Sequence, residues 1–278
     1  VTVDRIRIEP ILAFRDNYIW MFHDASQAVV VDPGMTTPVM MALDQRQLQL
    51  SAIVLTHHHY DHNWGVPGLL ERWPVPVFGP LLNEYDRGSH PPFPKPGTVP
   101  IDCVSHVVAD GDTVTLAGLD MELSVLAVPG HTRGHVAFLE RTRGWLFTGD
   151  TLFGAGCGKV FGGSMQAMVD SLDRLASLPG NTQVFCAHEY TLGNLRFALA
   201  VEPSNPDVAA RYALDTLKRE QGEPTVPSTI GLERATNPFL RVLEPEVLQT
   251  LRIRRGVEAS SRVASFEALR EWKNEFKA

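Results

Sequence analysis

Thr56-His57-His58-His59-Tyr60-Asp61-His62 packs five metal-binding side chains into seven positions. It directly follows Ala52-Ile53-Val54-Leu55, an apolar run that reads as a buried strand. His57 and His59 are two apart in an extended segment, so both imidazoles can face one ion. Asp61 and His62 come as the chain turns and can face a second position. Further along, Pro129-Gly130-His131-Thr132, Thr148-Gly149-Asp150 and Cys186-Ala187-His188-Glu189 each stand where a strand would run out into a loop. His131 can complete the first site and His188 the second. Asp150, a carboxylate, can bridge the two. Imidazole and carboxylate donors without thiolate suit zinc, iron or manganese. A structural zinc site would more often be a closed tetrahedron with cysteines.

Two metals held ~3.5–4 Å apart share a water whose pKa falls toward about 7, so hydroxide is present at neutral pH. That equipment hydrolyses acyl or phosphoryl esters. Asp61 and Asp150 are then metal ligands that hold the bridging hydroxide rather than nucleophiles. His23, His90 and His106 read as hydrogen-bonded core, His58 as pointing away from its neighbours, and His135 either as a support for a ligand or as a purely structural residue.

The chain has 278 residues, long enough for one large domain plus an appendage. With 44% hydrophobic and 21% charged residues it is ordinary globular material. A net charge of −7 argues against a nucleic-acid partner. Cys103, Cys157 and Cys186 form no CxxC pair and leave an odd thiol, so no disulfide framework is expected. The opening residues alternate like a strand rather than forming a signal peptide, and no apolar run is long enough for a membrane span. A cytoplasmic monomer is the expectation.

Val1–Ile8, Tyr18–His23 and Ala28–Val31 read as strands, the last ended by the turn Asp32-Pro33-Gly34. Pro38–Gln47 reads as a helix. Strands are expected again at Thr113–Leu116, Glu122–Val128, Val136–Glu140, Trp145–Phe147 and Val184–Cys186. Ser164 can cap a helix with Met168, Leu172 and Leu175 on one face. Past Thr191 the pattern is helical: Asp207–Glu220 after the Asn205-Pro206 cap, Glu244–Arg255 and Ser265–Phe276. The boundary is expected near residue 190, between domains 1–190 and 191–278. Ser89–Pro100 reads as a surface loop. Gly154–Lys159 is no phosphate loop, because Val160 stands where Ser or Thr is needed and Phe153 where the first glycine is needed.

The THHHYDH cluster with PGHT, TGD and AHEYT resembles the metallo-β-lactamase superfamily. The resemblance implies an αββα sandwich with two metals: His57, His59 and His131 on one, Asp61, His62 and His188 on the other, and Asp150 between. A narrower resemblance, to glyoxalase II (hydroxyacylglutathione hydrolases), covers nearly the whole chain. It rests on His188-Glu189-Tyr190-Thr191, Asn194–Ala198, Val201-Glu202-Pro203, Asn237–Arg241, Gly156–Lys159 and the terminal Arg270, Lys273 and Phe276.

That resemblance implies hydrolysis of S-D-lactoylglutathione to D-lactate and glutathione, a step of methylglyoxal detoxification, with two divalent ions, most simply zinc. It assigns Arg270 and Lys273 to the glycyl carboxylate of glutathione, and Lys159 and Tyr190 to the rest of the tripeptide. Arg270 and Lys273 are three apart on a helix, so they share a face that can clamp a small carboxylate, although without the resemblance a solvated basic face is the simpler reading. Many relatives carry tyrosine at Phe161, so one substrate contact is expected to be weaker. Ser89–Pro100 is longer than usual for the family. Rival readings are a one-metal persulfide dioxygenase, a hydrolase of another thioester or a nucleotide, and a metal-binding module without activity. Oxygen uptake, an unchanged Michaelis constant after neutralising Arg270 and Lys273, and bound metal without thioesterase activity, respectively, would mark them.

Overall fold

Seven residues in succession, Asn17–His23, are all buried, with apolar and aromatic side chains from Tyr18 to Phe22, the mark of a strand covered on both faces. In the computed structural model, which describes residues 6–81, 103–161, 163–258 and 261–277, this strand is β2. It pairs antiparallel with β1 (Arg7–Ala13) and β3 (Gln27–Val31). Beyond β3, the strands β4 (Gln49–Val54), β5 (Val77–Pro80) and β6 (His106–Val108) continue the sheet in parallel.

Helices α1 (Thr36–Arg46) and α3 (Val66–Arg72) lie on one face of this sheet, with α2 (Tyr60–Asn63) between them in sequence. Val39, Leu43, Val66 and Leu69 pack there against Ile19, Met21, Val30 and Ile53. Tyr18, Trp20 and Phe22 alternate with Ile19 and Met21 and point to the other face. There Phe22 stacks on Phe147, ring centroids 5.5 Å apart. Phe147 belongs to a second, antiparallel set, β7 (Thr113–Leu116), β8 (Met121–Ala127), β9 (Val136–Glu140) and β10 (Trp145–Gly149). Each large apolar side chain fully buried between such layers contributes about 1.5–3 kcal/mol.

These elements form one compact unit, Val1–Ala127 with Thr132–Gly149; the other comprises Val128–His131 and Asp150–Ala278. The second unit opens on a small hairpin, β11 (Leu152–Phe153) and β12 (Gly156–Cys157). Helix α4 (Met165–Ala176) follows, its Ala167 N–H donating to the Ser164 hydroxyl. Strand β13 (Gln183–Cys186) pairs with β14 (Ser228–Thr229). The remainder is helical: α5 (Thr191–Val201), α6 (Pro206–Glu220), α7 (Ile230–Thr236), α8 (Pro245–Arg255) and α9 (Arg262–Glu275). Leu195, Ala198 and Val208 pack with Ala155 of the hairpin.

Several sequence expectations shift. Of the strand expected at Val1–Ile8, residues 1–5 lie outside the described residues; β1 runs on through Pro10, which is tolerated because β1 is the edge of its sheet among the described residues. The last helix starts earlier, because Ser261 caps it by accepting from Ala264 N–H at 3.2 Å. His106 is exposed on β6, its ring 5.0 Å from Phe78, and is not a core histidine. His23 is buried, with Nδ1 2.6 Å from the Asp24 carbonyl. His90 and Ser89–Pro100 lie outside the described residues.

Candidate active site

In the first unit, β4 ends at Val54 and hands the chain to His57, His58, His59 and then α2. One nitrogen of His57 and one of His59 lie within 4.8 Å of each other. Asp61 and His62 sit on the turn of α2, with Asp61 Oδ2 3.6 Å from His62 Nε2. Asn17 Nδ2 donates to that same Asp61 oxygen at 3.1 Å.

Beneath these ligands is Asp32, 4% exposed. Its Oδ1 accepts the Thr56 N–H at 2.8 Å, and its Oδ2 accepts the Thr56 hydroxyl at 2.7 Å. Oδ2 also lies 3.0 Å from His62 Nδ1. A carboxylate can only accept, so His62 Nδ1 carries the proton and Nε2 keeps its lone pair. The Thr56 hydroxyl has spent its proton on Asp32, so it accepts from His57 Nδ1, 3.0 Å away. His57 Nε2 therefore also keeps a lone pair. One carboxylate fixes the tautomer of two ligands, as outer partners of metal-binding histidines commonly do. Asp32, His57 and His62 are close enough to suggest a third cation position. The hydrogen-bond directions assign Asp32 to the orienting role instead.

In the second unit, His131 follows the end of β8 by four residues, Asp150 follows β10 directly, and His188 follows β13 by two. His131 Nε2 is 3.4 Å from Asp150 Oδ2, and His188 Nε2 is 3.2 Å from Asp150 Oδ1. The two carboxylate oxygens thus face different imidazoles, as a bridging ligand requires. His131 Nδ1 donates to the Lys159 carbonyl at 2.7 Å, which again leaves Nε2 for a metal. Gly158 makes this approach possible: a Cβ there would lie 2.0 Å from the Asp150 carbonyl oxygen and 2.9 Å from His131 Nδ1.

Beside Asp150 and His131 is a cavity of about 580 Å³, whose wall includes Lys159, Phe161, Tyr190, Arg270 and Lys273. That volume suits a ligand of a few tens of atoms. Tyr190 stacks flat on His188 at 4.7 Å, and Phe161 meets His131 edge-on at 5.4 Å. Arg270 is buried, with Nη1 donating to the Cys157 carbonyl at 3.0 Å. Its Nε is buried without a hydrogen-bond partner among the described residues. Lys273 donates to the Gly193 carbonyl at 3.2 Å. Burial, and then the charge of Arg270, lower its pKa to about 8. Burial raises the Cys157 thiol to about 11, so it is no thiolate at neutral pH.

The donors fit divalent ions: imidazole nitrogens with fixed tautomers, two carboxylates and no thiolate. Sequence reasoning named these donors but missed the groups that aim them. Asp32 was legible only as part of a turn, because its partners Thr56 and His62 lie 24 and 30 positions away.

Residues 13–188 match the model of the metallo-β-lactamase superfamily, and residues 189–276 match the hydroxyacylglutathione hydrolase C-terminus. A hydroxyacylglutathione hydrolase of Cupriavidus metallidurans is 50% identical, with 98% of this chain and 100% of that one covered. One from Nitrosomonas europaea is 44% identical, with 98% and 97% covered. The chain belongs to the hydroxyacylglutathione hydrolase family. Its superfamily fold is shared with the B3 metallo-β-lactamase BLEG-1, at TM-score 0.60 and 23% identity over 84% of this chain and 99% of that one. It is also similar to TTHA1623, solved in a di-iron-bound form, at TM-score 0.57 and 27% identity, covering 84% and 100%. Superfamily membership and the histidine–aspartate sets together support two metal ions per chain. No helix among the described residues is long and apolar enough to cross a membrane.

Proposed function

We propose that the chain hydrolyses the thioester of S-(2-hydroxyacyl)glutathione, chiefly S-D-lactoylglutathione, releasing D-lactate and glutathione. The observation that carries this reading is a cavity whose wall holds His131 and Asp150 together with Arg270 and Lys273. Among the described residues neither cation is paired with a carboxylate, so both charges await an anionic ligand. The glycyl carboxylate of glutathione supplies one. Tyr190 and Phe161 offer aromatic faces and edges to the rest of the tripeptide, with Lys159 at the open side, where it is exposed.

His57, His59 and His131 would hold one ion, and Asp61, His62 and His188 the other, with Asp150 shared. Two bound divalent ions supply Lewis acidity and bring the pKa of water toward about 7. Asp32 keeps His57 and His62 in the ligating tautomer, and the Lys159 carbonyl does so for His131. Asn17 holds Asp61 in place. Water adds to the acyl carbon, the C–S bond breaks, and the electron pair leaves on sulfur. A thiol of pKa about 8.5 departs with little help from an acid, so no histidine need be reserved to protonate it.

Zinc, the lactoyl group made from methylglyoxal, a cytoplasmic location and a monomeric state complete the proposal. So does a division near residue 190, where the two family models meet. Thiol release from S-D-lactoylglutathione by purified protein tests it. Replacing Arg270 and Lys273 together by methionine is expected to raise KM at least tenfold. No thiol release by metal-loaded protein, or an unchanged KM in the double variant, would overturn the reading.

A further inference from the structure

The hairpin that lines the cavity is suspended from buried side chains of the helical region. The Ala155 N–H donates to Glu233 Oε2 at 2.8 Å. Asn237 Nδ2 donates to the Gly156 carbonyl at 3.0 Å and to the same Glu233 oxygen at 3.1 Å. Asn194 Nδ2 takes the Gly154 carbonyl at 3.0 Å. Ala155 itself sits at φ +53°, a left-handed conformation that a non-glycine residue keeps only when its surroundings impose it.

Glu233 is completely buried, and its other oxygen is held from behind. Oε1 accepts from Arg211 Nη2 at 2.8 Å and from the Ser228 hydroxyl at 2.6 Å. Arg211 is steadied in turn by Asp215 at 3.4 Å. A buried ion pair is an expensive way to stabilise a fold, since well-packed apolar residues often serve as well. Here the carboxylate faces two ways, one oxygen to the anchor and one to the loop.

What the loop carries gives the arrangement its use. Four residues past Ala155, the Lys159 carbonyl orients His131, and Gly158 touches Asp150 with no room to spare. Cys157, Gly158 and Lys159 all line the cavity.

We propose that Glu233, with Asn237, is a positioning residue: it sets the Gly154–Lys159 segment, and through it the shape of the cavity and the aim of His131. The proposal rests on the thioesterase reading for the identity of the substrate. A Glu233→Gln variant keeps the side-chain shape but must present an amide NH2 either to the Ala155 and Asn237 donors or to Arg211.

The experiment measures kcat and KM for S-D-lactoylglutathione, the rate of metal loss to a chelator, and Tm. Glu233→Gln is expected to raise KM by roughly 3–10-fold and to speed metal loss by about tenfold. Ser228→Ala, which touches only the anchoring oxygen, is expected to lower Tm while leaving KM and metal loss alone. A Glu233→Gln protein with lowered Tm but unaltered KM and metal loss would make the network merely structural and overturn the proposal. Should that variant fail to fold, Asn237→Ala removes the loop bond without unpairing Arg211, and the same readouts decide. If wild-type protein has no thioesterase activity, the function is refuted and metal loss alone judges the positioning role.

Discussion

Replacing Asp32 by asparagine tests whether one buried carboxylate governs two metal ligands. Asp32 accepts three hydrogen bonds, from the Thr56 N–H, the Thr56 hydroxyl and His62 Nδ1. Asparagine offers one accepting oxygen and one donating NH2. With its oxygen toward the Thr56 N–H, the NH2 faces Thr56 Oγ1 and His62 Nδ1. His62 then moves its proton to Nε2. The Thr56 hydroxyl, now receiving a proton, donates to His57 Nδ1 and reverses that tautomer too. Both imidazoles lose the lone pair a metal needs. In the opposite orientation, the NH2 confronts the Thr56 N–H and leaves a buried donor unpaired.

Hydrogen bonds to a charged group contribute about 1.5–3 kcal/mol each, so Asp32→Asn is expected to lower the stability of metal-free protein by a similar amount. Loss of the orienting partner adds a roughly 10–100-fold fall in metal affinity. That is about 1.4–2.8 kcal/mol. Chelator competition, read beside melting curves with and without metal, separates the two effects. A variant with reduced Tm but wild-type metal affinity would refute the tautomer argument.

Three further outcomes follow from the geometry. Gly158→Ala places a Cβ 2.0 Å from the Asp150 carbonyl oxygen, a backbone atom that cannot swing aside; metal content and thioester turnover are expected to fall together, and a fully loaded, active variant would contradict the packing. The Lys273 pKa of about 8, against 10.5 when unfolded, means the unfolded chain binds more protons between those values. Stability should therefore rise with pH across that window, while KM for a carboxylate-bearing substrate rises as pH passes 8 and the ammonium is lost; Lys273→Met should flatten both trends, and persistence of either would exclude Lys273 as its source. Phe161→Tyr adds a hydroxyl beside the cavity without changing ring volume and is expected to lower KM about threefold, with kcat nearly constant; an unchanged KM would remove Phe161 from the substrate contacts.

Local rules made much of the fold legible. The alternating burial of β7, the caps at Ser164 and Asn205, and the strand-end placement of His57, His131, Asp150 and His188 all depend on near neighbours in sequence. What stayed hidden depends on distant ones. Asp32 looked like turn chemistry, since nothing nearby shows that its carboxylate reaches Thr56 and His62. The spacing of Arg270 and Lys273 fits a solvated helix face equally well; their burial in a cavity wall is a consequence of tertiary packing. Glu233 likewise acquires its meaning from Ala155, 78 positions away.

The central claim is that paired metals, held by these histidines and aspartates, make the chain a thioesterase. Metal-free protein titrated with zinc, with thiol release from S-D-lactoylglutathione followed at each addition, tests it most directly. Turnover is expected to be absent without metal and to climb to a plateau at two equivalents per chain. Full turnover by metal-free protein, or a plateau at one equivalent, would contradict it.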